Sequence, residues 1–105
     1  QINVLIQKFN ELEPISARVL LKLKYYVHDL ITFSDHEINY MSKYYKGKTP
    51  LLDYINELSS NLDNVNKHSR INKWGLRKED IAELTEYAVG SINTTAKRIV
   101  TKLKL

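Results

Sequence analysis

The chain has 105 residues, a net charge of +4 and no cysteine. A domain of this size buries about two thirds of its unfolded surface, so it can fold without disulfides or metals. The missing cysteines exclude disulfides, thiolate nucleophiles and cysteine-ligated zinc, and no apolar run approaches the roughly 20 residues of a membrane span. We expect one domain, residues 1–105, and, with no visible signal peptide, a cytoplasmic location.

Apolar residues recur every three or four positions along the chain, which is typical of helices. A short first stripe runs from Ile2 to Leu12. Pro14 suits the first turn of a second helix, predicted to extend to Phe33, because its missing N–H costs nothing there. This helix is apolar over nearly half its circumference and should lie at the centre of the fold. Its polar side is a narrow strip of Arg18, Lys22 and Asp29.

Two capping patterns predict the next two helices. Ser34 and Glu37 have the spacing of a capping box, and the helix that they begin is predicted to stop at Gly47. Thr49 and Pro50 suit the N-cap and the first position of a fourth helix. This part of the chain therefore predicts two helices joined by a short turn.

The second half of the chain is predicted to hold one loop and one long helix. Residues 59–68 are rich in Ser, Asn and Asp, which favour turns. Gly75 fits the closing position of a short turn after Trp74, with Leu76 packing back. The last helix is predicted from Arg77 to Lys104, with any kink at Gly90 and the polar run after it. The predicted fold is all-α, a compact bundle of four to five helices with a long C-terminal helix.

Tyrosines and lysines cluster in the middle of the chain, where six tyrosines lie between residues 25 and 54. Tyr40 and Tyr44 lie off the apolar stripe of their helix, so both are expected to expose part of their rings. Tyrosine is enriched at protein interfaces, and aromatic rings beside lysines can also stack on bases. The alternative is that these are ordinary rim residues of the bundle. The predicted surface comprises Tyr40, Tyr44, Lys43, Lys46 and Lys48.

The C-terminal segment KRIVTKLKL is the basic part of the chain. These nine residues carry a charge of +4, and the charges of all other residues cancel. Such a segment suits a phosphate backbone, an anionic membrane surface or an acidic protein. The alternative is that the cations only complement the helix dipole. The predicted binding residues are Lys97, Arg98, Lys102 and Lys104.

A group of side chains between residues 28 and 37 could be taken for metal ligands. His28 and Asp29 are followed by Asp35, His36 and Glu37, but the last three are explained by the helix cap. No serine has a placed base, and no glycine-rich loop could hold a phosphate. We therefore expect no catalytic residue, no metal and no cofactor.

The stretch WGLRKEDIAELTEYAVGSIN, preceded by LLDYINEL, is similar to the C-terminal helical region of iron-containing alcohol dehydrogenases. In that family a short helix leads to a turn of glycine and an apolar residue, a charged EDI and another helix. The segment VLIQKFN resembles a segment further upstream. Residues 13–49 depart from the pattern, and the family's nucleotide-binding half and metal-binding histidines are absent. The resemblance implies a detached helical domain without the family's activity.

These observations predict a small non-catalytic helical module, in a binding or regulatory role. The first expectation is a protein partner or self-association through the tyrosines or the last helix. Nucleic-acid binding through the basic end is the alternative, and a detached domain of a dehydrogenase-like enzyme is a second one. Because the chain begins with Gln1, we expect a processed N-terminus or a longer parent protein.

Overall fold

The structure is a computed structural model that describes residues 7–26, 31–65 and 76–103, the side chains of 60–65 and 103 aside. Helices and no strands occur in these ranges, which confirms the all-α prediction. There are six of them rather than four to five: α1 (residues 7–10), α2 (Ile15–Lys24), α3 (Asp35–Ser42), α4 (Leu51–Val65), α5 (Lys78–Leu84) and α6 (Val89–Leu103). The radius of gyration is 13.0 Å, as expected for a compact chain of about 100 residues. The start of the predicted first stripe, residues 2–6, lies outside the described residues.

Helix α2 is much shorter than the predicted helix from Pro14 to Phe33. Pro14 is extended and caps α2 rather than lying in its first turn. At the other end, Tyr26 has left the helix, and its ring stacks on Phe33 with 5.9 Å between ring centroids. The Tyr26 hydroxyl also donates to the side-chain oxygen of Asn56 in α4. The prediction of a helix to Phe33 was therefore wrong at residues 25–26 and 31–33, and residues 27–30 lie outside the described residues.

The short α2 lies at the centre of the described fold, in contact with α3, α5 and α6. Val19, Leu20, Leu21 and Leu23 are completely buried. Lys22, which the periodicity placed on a solvent-facing strip, is only 3% exposed. That part of the prediction was wrong, because α2 is covered on its polar side as well.

The capping box at the start of α3 is confirmed. The Ser34 hydroxyl accepts a hydrogen bond from the backbone N–H of Glu37, and Glu37 Oε1 accepts one from the backbone N–H of Ser34 at 2.7 Å. The helix ends at Ser42, five residues before the predicted stop at Gly47. Residues 43 and 44 form a turn, and residues 45–50 connect it to α4 without regular secondary structure.

Helix α4 begins one position later than predicted and runs further. Its first helical residue is Leu51, and the carbonyl of Pro50 accepts from the backbone N–H of Tyr54. The loop predicted for residues 59–68 was wrong over 59–65, which are helical, and 66–68 lie outside the described residues. Ile55 is buried in the core and Leu58 packs against the core, so tertiary contacts hold the first half of α4.

The long last helix predicted from Arg77 to Lys104 is two helices, separated at residues 85–88. Thr85 is extended, and its hydroxyl donates to the Ile81 carbonyl at 2.8 Å and accepts from the backbone N–H of Tyr87 at 3.4 Å. The backbone N–H of Glu86 donates to the Tyr40 hydroxyl at 3.1 Å. At the break, the backbone N–H groups of Glu86 and Tyr87 therefore donate to side-chain hydroxyls instead of to helical carbonyls. The prediction of one unbroken helix was therefore wrong, and the break lies before Gly90, the position at which the sequence allowed a kink.

Leu76 joins the last third of the chain to the central helix. Its side chain is buried in the core, and its backbone N–H donates to the Leu23 carbonyl at 3.0 Å. The burial agrees with the predicted inward packing of Leu76, while the Trp74–Gly75 turn lies outside the described residues. Within the part of the chain that the structure describes, no helix is both long and apolar enough to cross a bilayer.

Candidate binding cleft

An open cleft of about 670 Å³ lies where the segment after α3 meets α4 and the last turn of α5. Its volume is in the range of about 300–1,000 Å³ that is typical of ligand sites. We call it the tyrosine cleft. It is lined by Lys43, Tyr44, Tyr45, Lys46, Gly47, Tyr54, Ala82, Glu83 and Leu84.

Two of its tyrosine rings are held in place by contacts at both sides. Tyr45 and Tyr54 pack with their ring centroids 4.9 Å apart and their planes tilted by 35°. The Tyr45 hydroxyl donates to the Thr49 carbonyl at 2.8 Å, and the Tyr54 hydroxyl donates to Glu83 Oε2 at 3.4 Å. Tyr54 therefore lies between the segment that carries Tyr45 and the helix that carries Glu83.

Gly47 makes room for the Tyr45 ring. A Cβ atom added at Gly47 would collide with the outer end of this ring. The Tyr45 hydroxyl would then have to leave its position beside Thr49. A glycine at this position is thus part of what sets the shape of the cleft.

The exposure of Tyr40 differs from what the sequence predicted. It was expected to expose part of its ring, but it is only 8% exposed and does not line the cleft. Its hydroxyl donates to Glu86 Oε1 at 3.0 Å and accepts from the Glu86 backbone N–H. Burial raises the pKa of the Tyr40 phenol, and the negative charge of Glu86 raises it further. Tyr40 supports the cleft indirectly, because its ring packs on the ring of the lining residue Tyr44, with 5.4 Å between the ring centroids.

Charges of both signs line the cleft. Lys43 and Lys46 are exposed on the segment after α3, and Glu83 is exposed on α5. Burial raises the pKa of the Tyr54 phenol, and the charges of Glu83 and Asp80 raise it further. The α5 part of the lining therefore carries an exposed carboxylate, and the segment after α3 carries two ammonium groups.

The structure brings together part of the predicted tyrosine and lysine surface. Lys43, Tyr44 and Lys46 line the cleft, whereas Lys48 is exposed but is not a lining residue. The sequence did not predict the contribution of α5, because no local pattern connects residues 43–47 with 82–84. The residues missed as part of the surface are Tyr45, Gly47, Tyr54, Ala82, Glu83 and Leu84.

The predicted basic surface lies elsewhere, on α6. Lys97, Arg98 and Lys102 are exposed there, and Lys104 lies outside the described residues. The inner side of α6 carries Ala96, which is buried in the core. The exposed cations do not line the tyrosine cleft.

The Glu37 carboxylate, which is part of the capping box, also belongs to a buried cluster of charged side chains. Lys22 Nζ donates to Glu37 Oε1 at 2.8 Å and to the Thr32 carbonyl at 2.8 Å. Arg18 Nε faces Glu37 Oε2 as an ion pair, without the alignment of a hydrogen bond. Burial opposes ionisation of the Glu37 carboxyl, but its hydrogen bonds to Lys22 and to the Ser34 backbone and its ion pair with Arg18 hold its pKa below the ordinary value.

The sequence places possible metal ligands at residues 28–37. His28 and Asp29 lie outside the described residues, and Glu37 is occupied by the two cations. Among the side chains of residues 7–26, 31–59 and 76–102, none form a group of three or more that could hold a metal ion.

Comparison with protein-family models found no matching family, and comparisons with curated proteins and with solved structures found no match either. The similarity to iron-containing alcohol dehydrogenases therefore remains a sequence-based expectation.

Proposed function

We propose that this protein is a small non-catalytic helical module that binds a protein partner, or a second copy of itself, at the tyrosine cleft. The observation that carries the proposal is the joining of three tyrosine rings and two exposed lysines in one open cleft. Tyrosine is over-represented in protein interfaces because it offers a large contact area with few rotatable bonds.

The way in which the rings are held supports the proposal. Tyr45 is tied to Thr49, Tyr54 to Glu83, and Tyr44 rests on the buried Tyr40. Side chains that are already ordered lose little entropy when a partner binds. These contacts therefore favour binding at the cleft over binding at an ordinary mobile surface.

The test is a pull-down from a lysate of the native source, paired with light scattering on the purified full chain. Two charge-reversed variants serve as a matched pair: Lys43→Glu with Lys46→Glu in the cleft, and Lys97→Glu with Arg98→Glu on α6. Both pairs reverse two exposed cations, so they change the net charge equally. We expect the first pair to abolish capture of the partner, or self-association, and the second pair to leave it intact. The reverse pattern would overturn the proposal.

A second candidate function is nucleic-acid binding by α6. Exposure of Lys97, Arg98 and Lys102 on one helix favours it, because exposed cations can replace the counterions of a phosphate backbone. This alternative predicts affinity for duplex DNA or RNA that falls steeply with salt and is lost in the Lys97→Glu, Arg98→Glu variant. Gel-shift titrations at two salt concentrations test it.

A further inference from the structure

We infer that the occupant of the tyrosine cleft is an extended peptide segment of mixed charge, with an apolar side chain between an acidic and a basic one. The apolar side chain packs on the tyrosine rings, the acidic one faces Lys43 and Lys46, and the basic one faces Glu83. This inference rests on the proposed function and specifies the partner's chemistry.

The positions of the charges support the order of the three side chains. The Tyr54 ring contacts Tyr45 on the segment that carries the lysines, and its hydroxyl reaches Glu83 on α5. The two lysines therefore belong to the segment that contacts Tyr54 through Tyr45, and the carboxylate belongs to the helix that contacts it through Glu83. A ligand that extends from the segment after α3 to α5 meets the positive charges first and the negative charge second. Complementary charges on the ligand would fix its direction.

The lining of the cleft has an apolar part. Tyr44, Tyr45 and Tyr54 supply half-buried aromatic rings, and Ala82 supplies a half-buried methyl group from α5. Aromatic and aliphatic side chains gain free energy by being removed from water together. An apolar residue at the centre of the bound segment would make this contact.

A nucleic acid fits the cleft less well than such a peptide. Its bases could stack on the tyrosines and its phosphates could pair with Lys43 and Lys46. The continuing backbone would then pass the exposed carboxylate of Glu83. Repulsion between the phosphates and this carboxylate opposes a polyanion, whereas the same carboxylate attracts a basic side chain.

The test uses synthetic fluorescein-labelled peptides and fluorescence anisotropy with the full chain. The mixed peptide is Glu-Glu-Leu-Trp-Lys-Lys, and its comparators are Glu-Glu-Leu-Trp-Glu-Glu and Lys-Lys-Leu-Trp-Lys-Lys. A labelled thymidine oligonucleotide tests the polyanion. We expect the mixed peptide to bind the wild-type chain most tightly, with an advantage of up to about fivefold for each exposed ion pair.

Charge reversal then tests the two sides separately. Glu83→Lys should shift the preference to the all-acidic peptide, and Lys43→Glu with Lys46→Glu should shift it to the all-basic one. A gain of affinity for a different peptide cannot be produced by unfolding, and circular dichroism checks the helix content of each variant. Gly47→Ala, which displaces Tyr45, should weaken binding of every peptide without changing their order.

Tighter binding of the oligonucleotide than of any peptide would overturn the inference, and so would variants that keep the wild-type order of peptides. If no peptide binds but reversal of Lys43 and Lys46 still abolishes partner capture or self-association, the inference fails and the proposed function stands. If that double variant also behaves like the wild type in pull-down and light scattering, both fail.

Discussion

Lys22 and Glu37 show how a single partner residue can allow a charged side chain to be buried. Lys22 lies in a strip that the helical periodicity of α2 assigns to solvent, and yet its side chain is only 4% exposed. Its ammonium group reaches the Glu37 carboxylate and the Thr32 carbonyl, so the buried charge is paired and hydrogen-bonded. The capping function of Glu37 could be predicted from local spacing. Its ion pairs could not, because they join residues 15 or more positions apart.

At the residue scale, we predict that Glu37→Gln destabilises the protein by about 3 kcal/mol at neutral pH. Removing one partner of a buried ion pair leaves the other charge uncompensated. Urea unfolding followed by circular dichroism measures the change. The control is Glu57→Gln on the exposed side of α4, which should cost no more than about 0.5 kcal/mol. Equal costs for the two variants would show that Glu37 does not support the fold through its charge.

A comparison of the wild-type protein with the Glu37→Gln variant at different pH values tests the lowered pKa of Glu37. Because this pKa is lowered in the folded state, the stabilisation is complete above the ordinary value of 4.5 and is lost as the pH falls through the folded-state value. Near neutral pH the wild type should therefore exceed Glu37→Gln in stability. The difference should shrink as the pH falls below 4.5 and Glu37 becomes protonated, because the protonated carboxyl resembles glutamine. A difference that grows as the pH falls would contradict the lowered pKa.

At the scale of helices, the ends of α3 and α5 illustrate which boundaries a sequence can predict. The start of α3 is set by Ser34 and Glu37, three residues apart, and was predicted. The end of α5 depends partly on Tyr40, whose hydroxyl accepts from the backbone of Glu86, 46 residues away. The three-and-four apolar spacing continues across the break at 85–88, so periodicity alone indicates one helix. Long-range side-chain hydrogen bonds of this kind leave no local signal.

We predict that Tyr40→Phe destabilises the break between α5 and α6 and costs about 1–3 kcal/mol. The substitution keeps the buried ring but removes the partner of the Glu86 backbone N–H and the bond to its carboxylate. Tyr25→Phe is the matched control, since that ring is 38% exposed. Thermal unfolding measures the cost, and hydrogen exchange at residues 85–88 localises it. Unchanged exchange in this segment would contradict the role of Tyr40.

At the scale of the whole molecule, the central position of the second helix could be predicted, and the site could be predicted only in part. The apolar stripe of α2 identified the core because burial follows periodicity. Lys43, Tyr44 and Lys46 were identified from composition, but the opposite side of the cleft comes from α5. Which distant residues complete a cleft depends on how helices pack against each other, and this is not encoded in the spacing of any one helix.

Replacement of Leu23 by alanine tests whether the core lies around α2. Leu23 is completely buried in α2, so we predict that Leu23→Ala costs about 2–5 kcal/mol through lost burial and the cavity left behind. Leu52→Ala removes the same atoms from a side chain that is 44% exposed, and it should cost far less. Denaturant unfolding of both variants measures the contrast. Similar costs at the two positions would place the core elsewhere.

The central claim is that the tyrosine cleft is the surface through which this protein binds another protein chain. Site-specific photo-cross-linking tests it most directly, with p-benzoylphenylalanine replacing Lys46 in the cleft or, as the control, Lys97 on α6. Both side chains are exposed, so the probe reaches solvent in each case. After irradiation of cells that make the protein, mass spectrometry should find a peptide of a partner, or of a second copy, joined at position 46. Cross-links to protein or nucleic acid at position 97 alone would contradict the account.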